Sequence, residues 1–204
     1  MPSSFLTDQS IMTICLAMAR PREFDRDAAL GNAISAFAEH GYEGTSTDLL
    51  LDAMNISRQS LYNAFGDKRQ LYLEALRTYA ARSLAEQMQA LAGGSPLAGI
   101  EAMLRAFILR PSKTCLGVSA ICEFGHSDPE ITKLNDSAAK ALRAALERRI
   151  AEGKAAGEID GGIDAAAAAH FLLATLSGIK VAARGGASLQ SLRDVMRMAL
   201  RSLT

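Results

Sequence analysis

The chain has 204 residues, with 22 Lys or Arg against 22 Asp or Glu, no Trp, and 49% hydrophobic residues. That length suits one or two domains with a real core, and zero net charge argues against a protein that coats nucleic acid indiscriminately. Cys15, Cys115 and Cys122 are too few for a disulfide framework and fit a reducing, cytoplasmic setting. Long stretches have helical periodicity and none alternates like a strand, so the expected fold is all-α. No apolar run reads as long enough to span a membrane, so no membrane partner is expected.

In chain order, the run IMTICLAMA (11–19) imitates a signal peptide, but Asp8 precedes it and no Lys or Arg does, so the positive leader is missing. Residues 1–17 are expected to be a disordered extension, or to lie upstream of a working start at Met18. A first helix is expected over Phe24 to His40. Asp25 caps it, and Leu30, Ala33, Ile34, Phe37 and Ala38 form one apolar stripe. Gly41 ends it, and Tyr42 folds back on its last turn. A second helix spans about Ser46 to Met54, started by a capping-box-like pair Thr45 and Asp48, with Leu50, Ala53 and Met54 facing inward. Asn55 takes the left-handed turn and Ile56 plugs the core. Ser57 caps a third helix ending near Phe65 and Gly66, and Asp67 caps a fourth.

Later elements follow the same punctuation. Pro96 opens a fifth helix that Arg110-Pro111 stops. Val118 to Phe124 is a short apolar helix ended by Gly125. Asp128-Pro129 opens a long helix to about Glu152. After the connector 153–162, helices follow from Asp164 to Arg184 and from Ser188 to Leu203.

The chemistry concentrates in residues 45–71. Two short helices joined by a tight turn make a small core-plus-polar-face unit of the helix-turn-helix kind. The N-terminal residues of such a unit's second helix approach base edges. Arg58 suits guanine, Gln59 suits adenine, and Ser60 sits in the same turn. Tyr62, Asn63 and Lys68 suit phosphates, as do Thr45 and Ser46 at a helix N-terminus. Arg20 and Arg22, on an arm before the first helix, are candidates for a minor groove or phosphate. Residues 18–70 hold six Lys or Arg against eight Asp or Glu. Affinity for double-stranded DNA must therefore come from a few placed cations.

Residues Arg20 to Leu71 resemble the DNA-binding domain of the TetR/AcrR family of bacterial transcriptional regulators. The resemblance is carried by ARPREFD (19–25), FAEHGYEGTST (37–47), AMNIS (53–57) and LYNAFGDKRQL (61–71). CLGVSAICEFG (115–125) and AEGKAAGEI (151–159) look like the ligand domains of one branch of that family. Asn55 and Leu51 depart from the family's usual Gly and Ala. The resemblance implies a three-helix DNA-binding domain over 18–66 and a larger helical ligand-binding and dimerisation domain over 67–204. It also implies that Tyr62 and Lys68 clamp the DNA backbone, and that a small-molecule effector releases a repressor from its operator.

The last two helices are apolar along much of their length: Ala168, Phe171, Leu172, Thr175, Leu176 and Ile179, then Leu192, Val195, Met196, Ala199 and Leu200. Small residues at 165–169, Ala174 and Gly178 permit close approach. Packed against the same pair in a second copy they would form a four-helix homodimer interface, suited to a palindromic operator; an ordinary intrachain core is the other reading. Phe107, Cys115, Cys122, Phe124, His126 and Phe171 are candidates to line an apolar effector pocket.

Cys115 and Cys122 also suggest a redox or electrophile sensor, or a thiol enzyme. Seven helical residues would separate their Cα atoms by roughly 10 Å, beyond disulfide reach, unless Gly117 breaks the helix. No Ser-His-Asp or Cys-His-Asn arrangement is visible among His40, His126 and His170. Cys122 and His126 match no standard zinc spacing. No catalytic residue, metal or cofactor is expected.

Overall fold

A computed structural model describes residues 24–109 and 114–204, which form nine α-helices and no strand. They are α1 (Arg26–His40), α2 (Thr47–Met54), α3 (Arg58–Phe65), α4 (Lys68–Ala92), α5 (Pro96–Leu109), α6 (Leu116–Phe124), α7 (Pro129–Ala155), α8 (Ala165–Arg184) and α9 (Leu189–Arg201). The expected all-α architecture is what the chain adopts. Residues 1–17, Cys15, Arg20, Arg22 and the Arg110-Pro111 stop lie outside the described residues.

Local chemistry explains most of the boundaries. The side chains of Asp25, Ser57, Asp67, Asp128, Asp164 and Ser188 each accept a hydrogen bond from a backbone N–H of the first turn they cap, a contact of about 1 kcal/mol. Pro96 and Pro129 open α5 and α7, where the missing N–H costs nothing. The turn between α2 and α3 is made by Asn55 at φ 52, ψ 48, the left-handed region that Asn tolerates better than other side chains.

The start of α2 differs from expectation. Ser46, not Thr45, is the N-cap, accepting from the Leu49 N–H at 3.1 Å. Thr45 is fully buried and its hydroxyl donates to the Gly41 carbonyl at 2.5 Å. Ala53 is exposed rather than inward, because the eight-residue α2 presents only Leu50 and Met54 squarely to the core. α7 continues to Ala155, so the connector after it starts later than expected.

Two main cores form. The first gathers Ala33, Phe37, Leu50, Met54, Leu61 and Phe65 from α1–α3, Leu71, Tyr72 and Leu76 from α4, and Leu116, Ala120 and Ile131 from α6 and α7. The second packs α5, α7, α8 and α9 around Met103, Leu104, Leu146 and Leu172. The first therefore extends past residue 66 into α4 and α6. At its centre the Tyr72 ring meets Phe37 edge-on at 5.0 Å, Tyr42 at 5.0 Å and Phe124 at 5.7 Å. Burial pushes the Tyr72 hydroxyl far above its usual range.

Polar clasps reinforce the junctions. Arg26 meets both oxygens of Glu74, at 2.7 and 2.8 Å, with its guanidinium 4.5 Å from the Phe65 ring centre. Arg69 donates to Asp128 at 2.6 Å, and Arg77 bonds Glu130. The Arg69 hydrogen bond, then the Ile131 N–H, holds the Asp128 carboxyl below the usual carboxylate range.

α8 corrects one expectation: it is 20 residues long and an 18-residue window of it has mean hydropathy 1.5, long and apolar enough to cross a membrane. Leu172, Leu176 and Ile179 are instead buried against the rest of the chain, and α8 packs on α7 and α9. Its composition is explained by protein contacts on this side, so both apolar helices do form intrachain core along their inner faces.

Replacing Asn55 by Gly should leave stability nearly unchanged, because Gly accepts φ 52 freely. Asn55→Val should cost roughly 1–3 kcal/mol, because a β-branched side chain is strained there. Thermal unfolding followed by circular dichroism checks the contrast; equal losses would refute it.

Candidate DNA-reading face and effector cavity

α3 is amphipathic over two turns. Leu61 and Phe65 are buried, and the opposite side presents Arg58, Gln59, Tyr62 and Asn63 to solvent. Ser60 lies at the edge of that face. Ser57 holds the start of the helix open: its hydroxyl oxygen accepts from the Ser60 N–H at 3.1 Å and pairs with the Ser60 hydroxyl at 2.9 Å. Tyr62, 49% exposed, is a large ring with no core to fill. Ser46, exposed at the N-terminus of α2, keeps its hydroxyl hydrogen for an outside acceptor. Lys68 stands at the start of α4 with its ammonium 4.4 Å from the Tyr42 ring centre.

Thr45 must be removed from this set. Its side chain is buried and spent on the Gly41 carbonyl, because the turn after α1 tucks it beneath α2. A phosphate cannot reach it.

The reading residues are held by one another. Arg58 donates to Asp48 of α2 at 2.6 Å, an exposed pair. Gln59 donates to Asn63 at 2.9 Å, one turn along. Exposed ion pairs contribute only about 0–1 kcal/mol, so base contact can displace the first at small cost. Asp48 nonetheless sets a negative charge on the same exposed surface as Arg58.

The candidate pocket residues separate into groups. A cavity of about 180 Å³ lies among α4–α8, walled by Phe107, Cys115, Val118, Leu142 and Leu176, with Tyr79, Ser83, Gln87 and Asn135 supplying polar atoms. Every described side chain lining it is uncharged. Phe107 and Cys115 are placed as expected. Cys122 instead faces a second, outer cleft of about 440 Å³ between the end of α1, α6 and α8, which Cys115 also borders. Phe124 belongs to the aromatic junction with Tyr42 and Tyr72. His126 is exposed in the turn after α6 and lines neither space. Phe171 is 48% exposed on the outer face of α8. The physical reason is common to the last three: an apolar or aromatic type near a helix end does not reveal which neighbour it meets.

Cys115 is the N-cap of α6 rather than part of the helix, and its sulfur accepts a hydrogen bond from the Tyr79 hydroxyl at 3.2 Å. Both described cysteines are free thiols. Among the described residues no group of three His, Cys, Asp or Glu side chains converges to hold a metal.

Sequence reasoning missed two charged residues that bind the turn after α1. Glu123, the one acidic residue of α6, accepts from the backbone N–H groups of Tyr42 and Glu43, each at 2.7 Å. Arg184, the last residue of α8, donates to the Glu39 carbonyl at 2.9 Å and to the Ser119 hydroxyl at 3.0 Å. For Glu123, a lone charge in an otherwise apolar helix was the available signal; Arg184 shares α8 with Lys180 and had no such mark.

The helix-turn-helix with its solvent-facing polar helix, mounted on a larger helical body with a partly open cavity, defines a DNA-binding regulator. The comparisons agree. Residues 30–75 match the family "Bacterial regulatory proteins, tetR family", and residues 96–199 match "Tetracyclin repressor-like, C-terminal domain". The chain belongs to the TetR family of bacterial transcriptional regulators and is not an enzyme. It is 33% identical to the HTH-type transcriptional regulator YezE of Bacillus subtilis, over 91% of this chain and 100% of that one. It is 28% identical to the HTH-type transcriptional repressor ComR of Escherichia coli, over 96% and 97%. A cysteine-substituted variant of the TetR family regulator CifR, bound to 26-base-pair double-stranded operator DNA, has a TM-score of 0.79 at 30% identity, over 91% of this chain and 100% of that one.

Asp48→Asn should tighten DNA binding by about two- to tenfold at low salt, with the gain shrinking as salt rises. Fluorescence anisotropy with a selected operator measures this; affinity unchanged at every salt concentration would show that Asp48 does not oppose the DNA.

Proposed function

We propose that this protein is a cytoplasmic homodimeric repressor that binds a palindromic operator and is released by a small, uncharged, largely apolar effector. Arg58, Gln59 and Ser60 read bases, while Ser46, Tyr62, Asn63 and Lys68 hold phosphates; Arg20 and Arg22 join them from the arm. The bound DNA in the CifR complex and the repressor name of ComR support this reading.

One observation carries the effector part. α6 is shared: Cys115 and Val118 wall the cavity, while Leu116 and Ala120 are buried in the core that holds α1–α3. A ligand that favours a different α6 position therefore shifts the DNA-reading unit, and must bind the DNA-incompetent state better. The uncharged lining disfavours an ionic effector, since an unpaired charge is costly to desolvate. At about 180 Å³ the cavity is below the usual 300–1,000 Å³ of drug-sized sites, which suits a ligand of few heavy atoms.

Dimerisation is supported by a second face on the last two helices. Their inner sides are core, but Phe171 and Val181 on α8 and Val195 and Met198 on α9 are 45–62% exposed. Large apolar side chains left exposed along two neighbouring helices support a contact surface there.

Selection of DNA by the purified protein should yield a palindrome. Removing the Arg58 and Gln59 side chains should each weaken binding about 5- to 150-fold and relax one base preference, given roughly 1–3 kcal/mol per bidentate contact. Val195→Asp with Met198→Asp should give monomers in analytical ultracentrifugation. An asymmetric selected site, or full affinity in the Arg58 and Gln59 variants, would sink the reading.

A thiol-based response is the second reading. It is favoured by Cys115, half-buried on the wall common to cavity and cleft with the Tyr79 hydroxyl on its sulfur. If it holds, a thiol-specific alkylating reagent should release DNA from the native protein and not from Cys115→Ser. Equal release from a variant with both Cys115 and Cys122 changed to Ser would exclude it.

A further inference from the structure

The DNA-reading unit is tied to the helical body by directional bonds at two places: Arg26 of α1 on Glu74 of α4, and the chain reversal after α1, where side chains of α6 and α8 meet it. The carbonyls that end a helix lack partners within it. Here the Glu39 carbonyl accepts from Arg184 at 2.9 Å, and the Ala38 carbonyl faces the same guanidinium at 3.4 Å. The N–H groups of the following turn, on Tyr42 and Glu43, each donate to a separate oxygen of Glu123 at 2.7 Å. Ser119, one turn before Glu123 on α6, links the two clasps by accepting from Arg184 at 3.0 Å. A cation from α8 meets carbonyls and an anion from α6 meets N–H groups, so each charge sits on the matching pole of one turn. Gly41 between them has φ +76, and a Cβ there would lie 2.9 Å from the Glu123 carboxylate. The turn is thus shaped to let Glu123 in.

Neither side chain belongs to the reading face, and neither lines the uncharged cavity. The other contacts of α6 with the DNA-reading core, through Leu116, Ala120 and Phe124, are apolar. Apolar contact tolerates sliding, whereas hydrogen bonds weaken steeply with angle. On the side facing α6 and α8, orientation is therefore set by the charged clasps, as it is on the α4 side by Arg26 and Glu74.

We propose that Glu123 and Arg184 are positioning residues that set the angle between the DNA-reading unit and the helical body, and through it the half-site spacing the dimer accepts. The inference rests on the reading of this protein as a dimer on a two-fold operator. Each α3 determines affinity for its own half-site. The rigidity of its mounting determines whether both halves are met at once.

The test uses the full chain and its selected operator, variants of that operator with one or two base pairs added or removed at the centre, and a single half-site duplex. The native protein should discriminate against wrong spacings by about 100-fold, within the 5–150-fold span of typical coupling. Glu123→Ala and Arg184→Ala should reduce that discrimination by about tenfold or more, while single half-site affinity stays within about twofold. Glu123→Gln, which keeps one acceptor oxygen, should fall between. Thermal melts identify a variant that has merely lost its fold, and Glu123→Gln then carries the test. Variants that discriminate spacings as the native protein does, or that weaken equally on every duplex including the half-site, overturn the proposal. A native protein indifferent to spacing overturns the two-fold reading, and this proposal with it.

Discussion

The packing around Tyr72 is the constraint on which the rest of the molecule depends. Its ring is buried between Phe37 of α1, Tyr42 of the following turn and Phe124 of α6. Three-helix units of this size have little core of their own, and a small domain buries a small fraction of its surface. Here the deficit is met by borrowing the first turns of α4, together with α6 and the start of α7. The DNA-reading unit is consequently not a bead on a linker. Its stability includes residues whose other side is the effector domain, so a change there cannot leave it untouched.

The same economy governs charge. The DNA-reading region carries more acid than base, and part of that acid is structural: Asp25 and Asp67 cap helices, and Glu74 clasps Arg26. These carboxylates are spent on the fold. Asp48 differs from these three, since its partner is Arg58 on the exposed face of α3. A region with more acid than base has little nonspecific grip on DNA, because nonspecific affinity is largely phosphate neutralisation. On the proposed reading, discrimination is then left to α3 and to the geometry with which two copies are presented.

Much of this was legible in the residue order. The caps at Asp25, Ser57, Asp67, Asp128, Asp164 and Ser188 were readable because each bond closes within three residues. The Asn55 turn was readable because few side chains accept its backbone. The reading face of α3 followed from periodicity. Where two neighbours competed, as Thr45 and Ser46 did for the start of α2, the choice depended on which of them the turn after α1 would bury. Phe124, His126 and Phe171 were grouped with the cavity on residue type alone; the fold sends one to the aromatic junction, one to solvent and one to the outer face of α8.

By itself the sequence determined the helices, most of their ends, the helix-turn-helix and the face it turns outward, because these arise from contacts within a turn or two of chain. Only the tertiary structure decided that Glu123 and Arg184 would meet the turn after α1, 80 and 145 residues away. It alone decided that Cys115 would border both cavity and cleft, and that the described lining of the cavity would be uncharged. The reason is range. Hydrogen bonds between near neighbours are specified by spacing, whereas contacts across long loops are chosen by the packing of whole helices, to which every apolar residue contributes and which no single motif encodes.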